Sequence, residues 1–191
     1  RATSSRLSPA EASACPEPDP LRSSVVTCLS TRPARTSDVR AIREIVAPLV
    51  AKRRLVAKDA VAYYEGIQQF RVVQDGDTVI GCGALHVMWE DVAEVRTLAV
   101  AAAYLGRGAG HLLLEALIED ARTLGVQRVF CLTFETTFFA DHGFQVIEGQ
   151  AVPPDVYAEV VRSYDEGVAE FLDLERVKPN TLGNTRMLLT L

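Results

Sequence analysis

One stretch constrains the fold more than any other. An apolar run from Val92 to Val100 leads to glycines at 106, 108 and 110, and from Gly110 to Leu124 the apolar residues recur at helical spacing. Gly125 closes that segment, and a second apolar run follows from Arg128 to Phe134. A strand, a glycine loop, an amphipathic helix and a strand in this order form one unit, with Leu112, Leu113, Leu117, Ala121 and Leu124 expected as the inward stripe.

The flanking segments extend the pattern. Val25 to Leu29 is β-prone and ends near Arg32-Pro33. Thr36-Ser37-Asp38 supplies helix-start chemistry for Val39, Ile42, Ile45, Val46, Leu49 and Val50, with Pro48 expected to kink or close the helix. Asp59 to Gln69 reads as a second helix, with Val61, Tyr64, Ile67 and Phe70 on its buried face. Phe70 to Gln74, the turn Asp75-Gly76-Asp77, and Thr78 to Val87 read as a hairpin. Downstream come a short helix from Thr136 to His142, a strand from Gly143 to about Glu148, a helix from Pro153 to about Tyr164, and a last strand from Met187 to Leu191. The order predicts an α+β fold, an α/β sandwich with helices covering a twisted mixed sheet.

Composition removes several function classes. The 191 residues carry a net charge of −5, which disfavours a protein that coats nucleic acid through phosphate neutralisation. No apolar run reaches the roughly 18–20 residues of a membrane span. Cys15, Cys28, Cys82 and Cys131 lack paired spacing, and His86, His111 and His142 lack a metal-binding pattern; reduced thiols, no metal and a cytoplasmic location are expected. Residues 1–24, rich in Ser, Ala and Pro, are expected to be a flexible tail without a signal-peptide pattern, and residues 25–191 the folded domain.

The glycine loop carries the chemistry. Glycines at alternate positions turn tightly and leave successive N–H groups unshielded, and with the following helix N-terminus they make an anion site suited to a pyrophosphate. The spacing G-x-G-x-G fits neither the dinucleotide fingerprint nor a Walker A loop. On these residues alone, a plain loop capping a helix is an equal alternative.

Three motifs in order give context: Arg32-Pro-Ala-Arg-Thr-Ser-Asp-Val39, Leu98-Ala-Val100 with Gly106-Arg-Gly-Ala-Gly110, and Phe138-Phe-Ala-Asp-His-Gly-Phe144. Together they resemble the GCN5-related N-acetyltransferase (GNAT) superfamily over about residues 28 to 150. The resemblance implies a sheet with a splayed central strand pair and acetyl-coenzyme A as cosubstrate. Leu98 and Val100 would pair with the pantetheine arm, and Gly106, Arg107, Gly108, Ala109, Gly110 and His111 would hold the pyrophosphate. Phe138 and Phe139 would complete the coenzyme site. Leu105 stands where the family has an Arg or Gln, and Phe139 where many members have a thiolate-protonating Tyr.

Further segments, among them Ile80-Gly-Cys-Gly-Ala-Leu85, Ala93-Glu-Val-Arg-Thr-Leu-Ala-Val100, Val129-Phe-Cys-Leu-Thr133 and Gly183-Asn-Thr-Arg-Met-Leu188, resemble amino-acid N-acetyltransferases of the N-acetylglutamate synthase type, in their short, stand-alone form. That likeness implies transfer of acetyl to L-glutamate, with L-glutamine as an alternative, at the first step of arginine biosynthesis. Glu94 would be the base, with Thr133 or Cys131 near the leaving thiolate. The acceptor's carboxylates need fixed cations: Lys58 and Arg96 first, then Lys178 and Arg186, with Asn180 and Asn184 as orienting amides. Arg96 lies two residues from Glu94 and so shares its strand face. A homodimer is expected. Two alternatives stay open: a peptide N-terminal or small-amine acetyltransferase, and a non-catalytic module that senses coenzyme A or arginine.

Overall fold

The computed structural model describes residues 29–149, 151–160, 162 and 183–191. The tail, Cys15, Cys28, Lys178 and Asn180 lie outside these residues.

Strand β1 (Leu29–Pro33) leads through a 3-10 turn (Thr36–Asp38) into α1 (Val39–Ala51). Helix α2 (Ala60–Glu65) and a 3-10 turn (Ile67–Gln69) precede β2 (Phe70–Asp75), β3 (Thr78–Trp89) and β4 (Val92–Val100). Then come α3 (Ala109–Thr123), β5 (Arg128–Thr133), α4 (Thr136–Ala140), β6 (Gln145–Val146), α5 (Pro154–Val160) and β7 (Thr185–Thr190). The strands form one mixed sheet in the order β1-β2-β3-β4-β5-β7-β6. All neighbours are antiparallel except β4 and β5, the pair joined by α3.

Helices cover both faces. Val39, Ile42 and Val46 of α1 and Tyr63 of α2 pack with Val72, Cys82, Ala84 and Ala99 on one side. Leu114, Leu117, Ile118 and Ala121 of α3 pack with Leu85, Val95, Val129, Cys131 and Met187 on the other, joined by Phe139 of α4 and Phe144. Helix α5 returns to the first face, where Val160 meets Val92 and Phe130. Gly83 allows α3 to settle closely, because a Cβ there would lie 2.9 Å from side-chain carbons of both Leu117 and Leu98.

Several local expectations shift. Pro48 does not end α1: it sits in the last turn, the helix runs on to Ala51, and Lys52 donates its N–H to the Pro48 carbonyl at 3.2 Å. The second helix stops at Glu65, because Gly66 breaks it into a 3-10 turn. Its inward residue is Tyr63, while Val61 and Tyr64 face outward. In α3 the buried set is Leu113, Leu114, Leu117, Ile118 and Ala121, and Leu112 and Leu124 are exposed. The true stripe keeps Leu113, Leu117 and Ala121 and is turned by about half a residue, roughly 50° at 3.6 residues per turn.

Candidate active site

β4 is the axis of the site. Its parallel pairing with β5 spans only Val92↔Arg128 to Val95↔Cys131, while its pairing with β3 runs on to Gly81↔Val100. Beyond Val95 the β5-facing edge of β4 therefore has no strand partner among the described residues. Such an edge takes an extended ligand by the same hydrogen bonds that add a strand.

A bulge sits at the point of divergence. The β3–β4 register slips between Cys82↔Ala99 and Ala84↔Arg96, and Thr97 has φ 54°, a left-handed value rare for a β-branched residue. The Cys82 thiol donates to the Thr97 carbonyl at 3.7 Å. The extra residue inverts the strand's alternation. Before it, Ala93 and Val95 face α3; after it, Leu98 and Val100 do, and Ala99 joins the α1 face. Glu94 and Arg96 consequently occupy the opposite face from Leu98 and Val100.

Glu94 is buried, with His86 and Phe130 as its neighbours across the strands. Arg96 donates through Nε to Glu94 Oε2 at 2.5 Å. On the same face lies Arg186, paired with Leu132 on β5 and donating through a terminal nitrogen to the Gly149 carbonyl at 3.1 Å. Asn184 leads into β7. Lys58 is exposed in the α1–α2 connection. Arg54 ties that connection to the β5–α4 loop, donating to Glu135 at 2.7 Å with its guanidinium 5.7 Å from the Phe134 ring centroid.

Thr133 and Cys131 sit differently. By strand alternation they share the α3 face, away from Glu94. Thr133 Oγ1 accepts the Glu135 backbone N–H at 2.9 Å, which braces the start of α4. Cys131 is fully buried, and burial, with the charge of Glu94 added, pushes its thiol well above the ordinary range. A thiol held neutral is a poor acyl carrier. Phe139 is core: it packs edge-on against Phe138 and Phe144, with centroids 5.3 and 5.1 Å apart. Only Phe138 reaches the loop, its ring 3.5 Å from where a Gly110 Cβ would stand.

The glycine loop is open. Gly106 and Gly108 have φ 74° and 84°, and a Cβ on either would meet nothing within 4 Å. The first internal bond of α3 runs from Leu112 N–H to the Gly108 carbonyl, so the amides of Ala109, Gly110 and His111 precede the helical ladder. A diphosphate fits this cradle: backbone donors, a helix N-terminus and no side-chain obstruction. Arg107 lies over the Tyr104 ring at 5.0 Å.

Sequence reasoning missed three features: the Thr97 bulge, the Arg54–Glu135 tie, and a contact between His111 and His142. None has a compositional signature, and the two side-chain contacts depend on how distant segments pack. The Thr97 twist alone is local, but a threonine in an apolar run gives no sign of positive φ.

A mixed sheet split beside a glycine-loop helix, with a buried acid at the split, defines a coenzyme-dependent acyl-transfer fold. The model of the acetyltransferase (GNAT) family matches residues 44–144, and the chain belongs to that family. It is an acetyltransferase. The chain is 55% identical over 163 residues to the amino-acid acetyltransferase of Mycobacterium tuberculosis, covering 84% of this chain and 93% of that one. A crystal structure of a protein from the same organism, in complex with CoA and NLQ, superposes with a TM-score of 0.80 at 54% identity, over 85% of this chain and 99% of that one. The N-acetylglutamate synthase of Neisseria gonorrhoeae, complexed with coenzyme A and N-acetyl-glutamate, shares the fold at a TM-score of 0.70 and 24% identity, and this chain covers 35% of its length. Among the described residues, no helix is long and apolar enough to cross a membrane.

Proposed function

We propose that the chain transfers the acetyl group of acetyl-coenzyme A to the α-amino group of a free amino acid, L-glutamate with L-glutamine as the alternative, forming the N-acetyl amino acid used in arginine biosynthesis. The observation that carries this is the position of the Glu94–Arg96 pair at the split between β4 and β5, next to the open strand edge that leads to the glycine loop. The 55% identity to an amino-acid acetyltransferase supports the acceptor class.

The pantetheine arm lies along the β5-facing edge of β4 at Leu98 and Val100, and the diphosphate on the amides from Gly106 to His111. The acceptor arrives as an ammonium ion and must lose a proton before it attacks. Glu94 takes that proton, directly or through one water. The amine nitrogen bonds to the thioester carbonyl carbon; as the carbon–sulfur bond breaks, the nitrogen gives up its second proton, which passes through water to the departing sulfur, and coenzyme A leaves as the thiol. Thr133 serves here by bracing the β5–α4 loop. The acceptor's carboxylates are held by Arg96, beside the base on the same strand face, with Lys58 and Arg186 as further cations.

One observation favours a binding module without turnover: Phe139, at the position of a family tyrosine, has no hydroxyl and is buried. Free-thiol release from acetyl-coenzyme A, with glutamate, glutamine, other amino acids and a peptide N-terminus as acceptors, separates the readings. Glutamate- or glutamine-dependent release supports amino-acid transfer; peptide-dependent release moves the acceptor class. Coenzyme binding with no acceptor-stimulated release leaves the binding module.

A further inference from the structure

Two side chains 81 residues apart join the two halves of the split sheet. Arg54, in the connection between α1 and α2, donates to Glu135 Oε1 at 2.7 Å. Its guanidinium also lies 5.7 Å from the ring centroid of Phe134, a residue 37% exposed. A charge-assisted bond and a cation–π contact thus converge on the loop between β5 and α4.

The backbone holds both ends. Helix α1 closes with Arg53 in the left-handed region, at φ 55°. The Arg53 N–H donates to the Val50 carbonyl at 2.9 Å and the Arg54 N–H to the Leu49 carbonyl at 2.8 Å. These are the bonds of a helix end that is usually built on glycine. An arginine at that position carries a backbone cost that glycine does not, and the cap sets the direction in which Arg54 leaves the helix. On the other side, Thr133 Oγ1 accepts the Glu135 N–H at 2.9 Å, and the Glu135 carbonyl accepts the Phe139 N–H at 3.2 Å. Partners with fixed backbones lose less freedom on pairing than partners on loose loops.

Placement gives the bridge its role. Helix α1 packs on Cys82 and Ala84 of β3 and on Ala99 of β4. Ala84 stands opposite Arg96, and His86 opposite Glu94, so this is the sheet face that carries the Glu94–Arg96 pair. Glu135 instead follows the end of β5, beyond the last β4–β5 pair at Val95↔Cys131. The ion pair therefore starts on the face of Glu94 and Arg96, in the β3–β4 half of the sheet. It ends on the β5 half, past the point where the two halves part.

We propose that Arg54 and Glu135 are positioning residues that latch the α1–α2 connection across the entrance to the acceptor site. They act on the acceptor by fixing the connection, which also carries Lys58, and take no part in the chemistry. The proposal rests on the acceptor entering on the Glu94–Arg96 face. With side chains 52% and 64% exposed, the pair is open to solvent and salt. An exposed pair of this kind is worth at most about fivefold in an equilibrium.

The test is thiol release at saturating acetyl-coenzyme A with varied glutamate or glutamine, using Arg54→Gln, Glu135→Gln and the double variant. Each single variant is expected to raise the acceptor's KM about two- to fivefold with kcat nearly unchanged, and the double variant no further than either single. The sign for Glu135→Gln is decisive. If Arg54 drew in the acceptor's carboxylate by its charge alone, removing the glutamate would lower that KM. Tryptic cleavage within residues 52–58 gives a readout independent of the acceptor, since Glu135→Gln leaves every cleavage site in place. The variant is expected to be cut there about two- to fivefold faster than the wild type. A responsive wild type, with Glu135→Gln showing an unchanged or lower KM or cut at the wild-type rate, overturns the latch alone. Wild-type release that answers to neither amino acid overturns the acceptor reading, and the latch's role with it.

Discussion

Glu94 and Arg96 hold each other at 2.5 Å on one face of β4, with side chains 5% and 14% exposed. Three residues on, Thr97 has turned the strand over, so the residues that would guide the coenzyme point to the other face. The proposed acid–base pair and the proposed coenzyme edge are thus separated by one left-handed residue, and this separation governs the expected effects of substitution.

Glu94→Gln keeps the shape and an acceptor for Arg96 but removes the base. The turnover rate is expected to fall about 10²–10⁴-fold with little change in the KM for acetyl-coenzyme A. Stability should fall by about 1–2 kcal/mol, since a charge-assisted bond in a buried site is replaced by a weaker one. Steady-state kinetics with urea unfolding checks both.

Arg96→Lys retains the charge but not the planar donors. A lysine can satisfy Glu94 or the acceptor's carboxylate in turn, not both in the arginine's geometry. The KM for the acceptor is expected to rise about tenfold or more, with the KM for acetyl-coenzyme A nearly unchanged. Equal changes in both constants would place Arg96 outside the acceptor site.

Gly108 and Gly76 provide a matched pair, both with positive φ and both open around the Cβ position. Alanine at either carries a similar backbone cost, about 1 kcal/mol. Only Gly108→Ala, in the loop, is expected to weaken coenzyme binding, by about tenfold, while Gly76→Ala at the hairpin tip leaves it unchanged. Equilibrium binding on the two variants decides it.

Burial pushes the Cys82 thiol up to about 12 and raises that of Cys131 as well. Each folded-state value lies above the unfolded one, so the unfolded chain loses its thiol protons first. Stability is complete below the unfolded thiol range, near pH 8.5, and falls as pH climbs above it, by at most about 1.4 kcal/mol per pH unit for each thiol. Cys82→Ala should flatten that slope in urea unfolding between about pH 9 and pH 11. At neutral pH both thiols should resist alkylation in the folded protein, with peptide mapping to locate the label.

Much of this architecture is written in the sequence as periodicity. The β4–loop–α3–β5 unit, the hairpin at Gly76 and the shared face of Glu94 and Arg96 follow from spacing of two and of 3.6 residues. The alternation rule then fails at Thr97, because a bulge inserts a residue without any compositional mark, and so the faces of Leu98 and Val100 could not be read. Phe139 illustrates a different limit: a family position suggested the coenzyme site, while packing with Phe138 and Phe144 sends the ring into the core. His111 and His142 are 31 residues apart, and their contact exists only once α4 folds against α3.

The most direct test of the central claim is acceptor-dependent thiol release from saturating acetyl-coenzyme A by the wild type and Glu94→Gln, with L-glutamate and L-glutamine as acceptors. The account predicts rapid release in the wild type that depends on one of these amino acids and falls at least about a hundredfold in Glu94→Gln, while the variant still binds the coenzyme. Undiminished release by Glu94→Gln, or no response to either amino acid in the wild type, would contradict it.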